Sequence, residues 1–218
     1  MTRSTCIQGS TPHTLGTSTP GPMLGDNASL AVWIRQPWMV RTSRGPRERG
    51  ENVLIRGASP RDFSALAAMH ARCTARTLLE RYRAGGCPPP AVAIERTLRH
   101  TLSFVACTGR GEIVAAAVAS RDPLHASNGA ALGVLVEDAW QHRGLGRDLV
   151  THLAGSAFVC GYTEVISYTG TSIVAAQRLL TEVGRTYAVL DDVSPHLHTY
   201  LSESSSLGLG AVREHLAC

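Results

Sequence analysis

The chain contains no lysine, and all 21 of its basic residues are arginine. We read this as compositional bias of the coding DNA rather than as electrostatic design. It leaves the α-amino group as the chain's only aliphatic amine. No apolar run approaches the ~20 residues of a membrane-spanning helix, so no membrane partner is expected. The N-terminus is polar and rich in Thr and Ser, without the apolar stretch of a secretory leader, and a cytoplasmic protein is expected. Six cysteines, at positions 6, 73, 87, 107, 160 and 218, form no Cys-x-x-Cys pair and stand at no zinc-finger spacing from histidine. Free, mostly buried thiols and no metal are the expectation. An acidic or basic excess on the domain is also missing. Residues 1–50 carry six arginines against Asp26 and Glu48, while residues 51–218 carry fifteen arginines and fifteen acids. A basic tail on a neutral domain argues against a dedicated nucleic-acid binder. What remains is a 218-residue globular class with 44% hydrophobic residues, enough for one domain and a core of ordinary size.

Residues 1–51 read as a disordered or loosely packed extension, with stretches such as "GSTPHTLGTSTPGP" and "RTSRGPRERG". "SLAVWIRQPWMV" interrupts it with Trp33 and Trp38, either as a segment packing on the domain or as a docking motif. Met39 stands there as an alternative start. The regular pattern runs over residues 52–203, and residues 204–218 form a tail. The tail's "GLGAVR" follows no strand and lacks a third glycine, so it is discounted as a nucleotide motif.

"NVLIRGA" reads as a strand and "SPRDFSALAAMHARC" as a helix, with Ser59 as N-cap, Pro60 at its first position and Asp62 closing a capping box. "TARTLLERYRA", capped by Thr74, and "AVAIERTLRH" read as two more helical stretches. "LSFVAC", "TGRG" and "EIVAAAVAS" make a β-hairpin, and "GAALGVLV" is the next strand. A helix follows over Arg147–Cys160, then strand "TEVISYT", helix "SIVAAQRLLTEVG", and strands "TYAVLDD" and "LHTYLSE". The fold class is α/β, a central mixed sheet with helices on both faces.

Chemistry concentrates in Gln141-His142-Arg143-Gly144-Leu145-Gly146, between an apolar strand and an amphipathic helix. The glycines let the backbone approach a bulky group closely. The free N–H groups and dipole of the helix beginning near Gly146 or Arg147 favour an anion, and Arg143 and Arg147 add charge-assisted donors. Strand, glycine loop and helix N-terminus thus read as a pyrophosphate cradle. The alternative is an ordinary strand-to-helix turn with exposed arginines.

Gln-x-x-Gly-x-Gly after the fourth strand, in this element order, resembles the acyl-CoA loop of the GCN5-related N-acetyltransferase superfamily (Arg/Gln-x-x-Gly-x-Gly/Ala). The resemblance covers about residues 53–203. "MHARCTARTLLERY" (69–82) and "VEDAWQHRGLG" (136–146) look more narrowly like the bacterial protein lysine acetyltransferases. It implies acetyl-CoA as cofactor and direct acyl transfer to an amine, with no metal. It further implies that backbone N–H groups from His142 to Arg147, through Arg143, Gly144, Leu145 and Gly146, hold the pyrophosphate. Main-chain groups around Leu135 and Val136 would pair with pantetheine as an added strand would. The acceptor is a protein lysine or, alternatively, a small-molecule amine. A domain that binds acyl-CoA without catalysis is the third reading.

The side chains that usually do the chemistry are not in their places. The family's glutamate base, early in the fourth strand, aligns with Ala131, and the tyrosine acid of the last long helix with Leu180. The asparagine opening that helix aligns with Ile173, and the aromatic after the glycine with Arg185. Three other groups are candidates for the base: Glu137 at the strand end, His125 in the preceding turn and Tyr168 on the next strand. Each has a plainer reading, as a solvated carboxylate, a polar turn residue and a packing residue with a wet hydroxyl. His196 and His198 share a strand face and, without a third ligand, read as surface.

Overall fold

The computed structural model describes residues 38–41, 52–82, 86–122, 128–168, 173–190 and 195–202. The elements in chain order are β1 Trp38–Arg41, β2 Asn52–Gly57, α1 Phe63–Arg72, α2 Ala75–Tyr82, α3 Ala91–His100, β3 Leu102–Thr108 and β4 Ile113–Arg121. They continue with β5 Gly129–Val136, α4 Leu145–Val159, β6 Glu164–Tyr168, α5 Ile173–Leu180, β7 Arg185–Val189 and β8 His196–Tyr200. One mixed sheet of eight strands runs β1-β2-β3-β4-β5-β6-β8-β7, antiparallel throughout except for β5 and β6.

β1 lies inside the stretch read as an extension. It pairs antiparallel with β2, Trp38 opposite Ile55, so "SLAVWIRQPWMV" joins the domain through its last residues. The rest of residues 1–51 and the tail 204–218 lie outside the described residues.

Both sheet faces are covered. On one, Leu145, Leu149, Leu153 and Ala157 of α4 bury against Val53, Phe104, Ala115, Ala117 and Val165. On the other, Leu66 and Met69 of α1, Leu78 of α2 and Ile94 and Leu98 of α3 bury against Val105, Ile113 and Leu135. The alternation along β5 divides it between the two: Leu132, Val134 and Val136 face α4, and Leu135 faces α1–α3. Gly129, Ala131 and Gly133 share Leu135's face by the two-residue period.

The start of α1 shows how local sequence sets direction. Pro60–Asp62 form a 3-10 turn, and Asp62 accepts the Ser59 backbone N–H at 2.8 Å. The same carboxylate takes both Arg56 guanidinium nitrogens at 2.8 and 2.6 Å. The capping box therefore doubles as a clamp from α1 to β2.

Candidate active site

The β5–β6 ladder has only three rungs, Gly129↔Glu164, Ala130↔Val165 and Ala131↔Ile166. Beyond them β5 stays with β4 as far as Val136, while β6 follows β8 as far as Tyr168↔His196. The two strands part, and residues 132–136 of β5 present an edge that β6 does not pair. The opening is a cavity of about 610 Å³, lined by residues 132–136 on one side and Ser167 and Tyr168 on the other. Gly144, Leu145, Gly146 and Arg147 close one end, and Ala176, Leu179 and Leu180 flank it. That size suits a cofactor-class ligand, and an open strand edge can take an extended amide-bearing one.

The loop at the closed end is shaped by backbone. His142 has φ +58° and Gly144, the N-cap of α4, φ +89°. These two left-handed residues bend the backbone tightly just before the N-terminus and dipole of a fifteen-residue helix. Leu145 anchors the loop with a fully buried side chain, so it offers the cavity backbone only. At Gly146 an added Cβ would meet nothing nearer than Val136 Cγ2 at 3.8 Å. An alanine therefore fits there, while Gly144's φ favours glycine. Gln141 lines the cavity, but its amide nitrogen is engaged within the protein. Its Nε2 donates to the Val136 carbonyl at 3.0 Å and to Thr77 Oγ1 at 3.2 Å, tying the loop to β5 and α2. Arg143 lies over the Trp140 ring at 4.9 Å, and Arg147 pairs with Glu182 at 2.6 Å.

At the apex of the split, on the α1–α3 face, the Tyr168 hydroxyl donates to Asp122 Oδ2 at 2.5 Å. Tyr168 is on β6 and Asp122 follows β4, so the bond crosses β5. It can do so because Gly129, Ala131 and Gly133 present nothing larger than a methyl group on that face. Asp122 is 2% exposed.

The acetyltransferase (GNAT) family matches residues 74–184, half of the chain. The chain belongs to that family. Among solved structures, the GNAT domain of S. lividans PAT superposes with TM-score 0.65 at 20% identity, covering 78% of this chain and 98% of that one. A GNAT superfamily phosphinothricin acetyltransferase from Sinorhizobium meliloti, in complex with AcCoA, gives TM-score 0.55 at 16% identity, covering 69% and 89%. The ribosomal-protein-S18-alanine N-acetyltransferase from Escherichia coli gives 0.53 at 17%, covering 69% and 94%. No curated protein matches the chain. At these identities the structures speak for the fold.

Within the GNAT frame, the sequence-derived candidates separate. Leu135, Val136 and the loop residues Gln141, His142, Gly144, Leu145, Gly146 and Arg147 all line the one cavity. Arg143 stands beside it on Trp140. Glu137 is not a solvated carboxylate: its side chain is 13% exposed and accepts Arg72 Nη2 at 2.8 Å and Nε at 3.1 Å. The Arg72 guanidinium engages that carboxylate, and Glu137 is outside the cavity lining. His125 lies outside the described residues. Of the two candidates among the described residues, Tyr168 lines the cavity and Glu137 does not. His196 and His198 are buried rather than on the surface, each 6% exposed, with rings 5.0 Å apart and His198 Nδ1 3.2 Å from Glu164 Oε2. Among the described residues no group of three His, Cys, Asp or Glu can hold a metal, and no helix is long and apolar enough to cross a membrane. Asp122 and Arg81, which also line or border the site, carried no local sequence signal: each looks like any charged residue at a strand or helix end.

Proposed function

We propose that this GNAT protein transfers an acetyl group from acetyl-CoA to a protein lysine, with Tyr168 and Asp122 in place of the family's glutamate base. Backbone N–H groups from His142 to Arg147 hold the pyrophosphate, and the β5 edge around Leu135 and Val136 receives pantetheine. When bound, acetyl-CoA supplies a thioester carbonyl open to attack by an amine. The Tyr168 hydroxyl, crossing β5 above Ala131, takes a proton from the acceptor ammonium as its own proton passes to Asp122. Asp122 then holds the proton that the thiolate of CoA would take up through Tyr168 on leaving, and the second proton of the acceptor nitrogen would pass to solvent. The carrying observation is that 2.5 Å bond spanning the strand where a carboxylate is missing. The lysine assignment is supported by the resemblance of residues 69–82 and 136–146 to bacterial protein lysine acetyltransferases.

Transfer of radiolabel from acetyl-CoA to a cell extract and, in parallel, to a panel of small amines tests the acceptor. The chain's lack of lysine keeps self-labelling low. Label on extract proteins, stable to hydroxylamine, is expected. Label on small amines alone overturns the lysine assignment.

A further inference from the structure

Arg81, on α2, lines the 610 Å³ cavity and also a smaller one of about 70 Å³ behind it, where Gly133 and Leu135 reappear. Its guanidinium rests on Gly133: a Cβ built there would stand 2.2 Å from Arg81 Cζ and Nη2. Only glycine at that point of β5 leaves room for it.

The guanidinium is held from behind by a built platform. Its Cζ lies 4.8 Å from the centroid of the Tyr82 ring. His70 Nδ1 is 2.7 Å from the Leu66 carbonyl, so that nitrogen carries the proton. His70 Nε2 then accepts the Tyr82 hydroxyl at 2.6 Å, which fixes the ring. Burial first, and the Arg81 charge after it, lower the His70 pKa from its ordinary value.

Among the described residues, the guanidinium has no anion beside it. Among the described residues no carboxylate lies within ion-pair distance of Arg81; the neighbouring Glu80 pairs with Arg76 instead. Burial pulls Arg81 below its ordinary value, and Tyr82 acts against that. A positioned guanidinium in a ligand cavity offers two parallel donors, which is the geometry that takes a carboxylate.

We propose that Arg81, seated on Gly133, binds a carboxylate carried by one of the two substrates, making the site selective for an acidic acyl group or an acid-bearing acceptor. This rests on the acyltransferase reading above: an acid on the acceptor narrows the amine, and an acid on the acyl group replaces acetyl as the preferred donor. The small cavity behind Arg81 has room for about two waters, enough for the guanidinium to adjust as a carboxylate arrives. An ammonium alone gains nothing from Arg81, so the cation cannot be there for the attacking amine.

The experiment has two arms on the full chain. In one, calorimetry compares succinyl-CoA with butyryl-CoA, its uncharged four-carbon counterpart. In the other, with acetyl-CoA as donor, kcat/KM is compared for amino acids and acid-flanked lysine peptides against their carboxamide counterparts. A preference of about tenfold or more for the acid in either arm is expected, and the arm that shows it names the carrier. Arg81→Gln should erase the preference, and Gly133→Ala should reduce it by displacing the guanidinium while keeping the charge. Arg76→Gln, on the exposed face of the same helix, should leave it intact. Equal treatment of acid and neutral counterparts in both arms overturns the proposal, as does a preference that survives Arg81→Gln. Failure of wild type to bind any CoA ester overturns the acyltransferase reading as well, whereas binding without acid preference overturns this inference alone.

Discussion

Tyr168 and Asp122 are 46 positions apart and meet only because β5 is nearly bare where they cross it. Ala131 therefore has two sides as a residue. It stands where the resemblance puts the family's carboxylate, and it leaves open the lane through which a phenol reaches a buried aspartate. Tyr168→Phe keeps the ring's contact with His196, 5.5 Å away, and removes only the proton path. It should lower kcat by about 10²–10⁴-fold while leaving the affinity for CoA within a factor of two or so. Asp122→Asn should fall in the same range. Steady-state kinetics with a calorimetric check of binding decide it; a Tyr168→Phe enzyme at full rate places the base elsewhere. Side-chain partnerships of this kind are where sequence reading ran out. Glu137 was legible as a carboxylate at a strand end, but not its bond to Arg72, 65 positions away. Arg81 in "LLERYRA" is indistinguishable from a surface arginine until Gly133 is seen beneath it. The loop glycines were legible because their effect is on backbone, within a few residues.

Element by element, most of the fold was legible, since period and caps are local. α1, α2, α3, the hairpin and α4 fall within a few residues of expectation. The departures are physical. α5 stops at Leu180 with residues 181–184 in turns before Gly184, and β1 adds a strand whose pairing partner, β2, no local pattern announces. Two elements also carry the acid limits of stability. His152 of α4 is buried with its ring edge-on to Phe104, and burial pulls it from 6.5 to about 4. A histidine depressed in the fold stabilises fully above its unfolded value, and that contribution drains as pH falls toward the folded one. About 3 kcal/mol should therefore be lost between about pH 6.5 and 4. His152→Gln should flatten denaturation midpoints across that window, and an unchanged slope would show that the imidazole does not govern it. Asp62, lowered chiefly by its bonds from Arg56, has the same sign below the ordinary carboxylate value.

Across the whole molecule, function rests on one topological fact: two neighbouring strands share three rungs and then follow different partners. The sequence carried the element order and the glycine loop, but not the length of the β5–β6 ladder, which only the assembled sheet sets. The parted strands give the cavity its length, Gly144 and the N-terminus of α4 close one end of it, and Tyr168 is the group at its apex that the proposed function uses as proton acceptor. The seat for CoA is the part on which every other assignment depends. Calorimetric titration of CoA onto wild type and Gly144→Glu tests it most directly, with circular dichroism confirming that the variant is folded. Wild type should bind, and Gly144→Glu, which sets a bulky anion at a φ of +89° where the proposed function seats the pyrophosphate, should lose at least about 100-fold in affinity. Equal affinity in a folded variant would contradict the account.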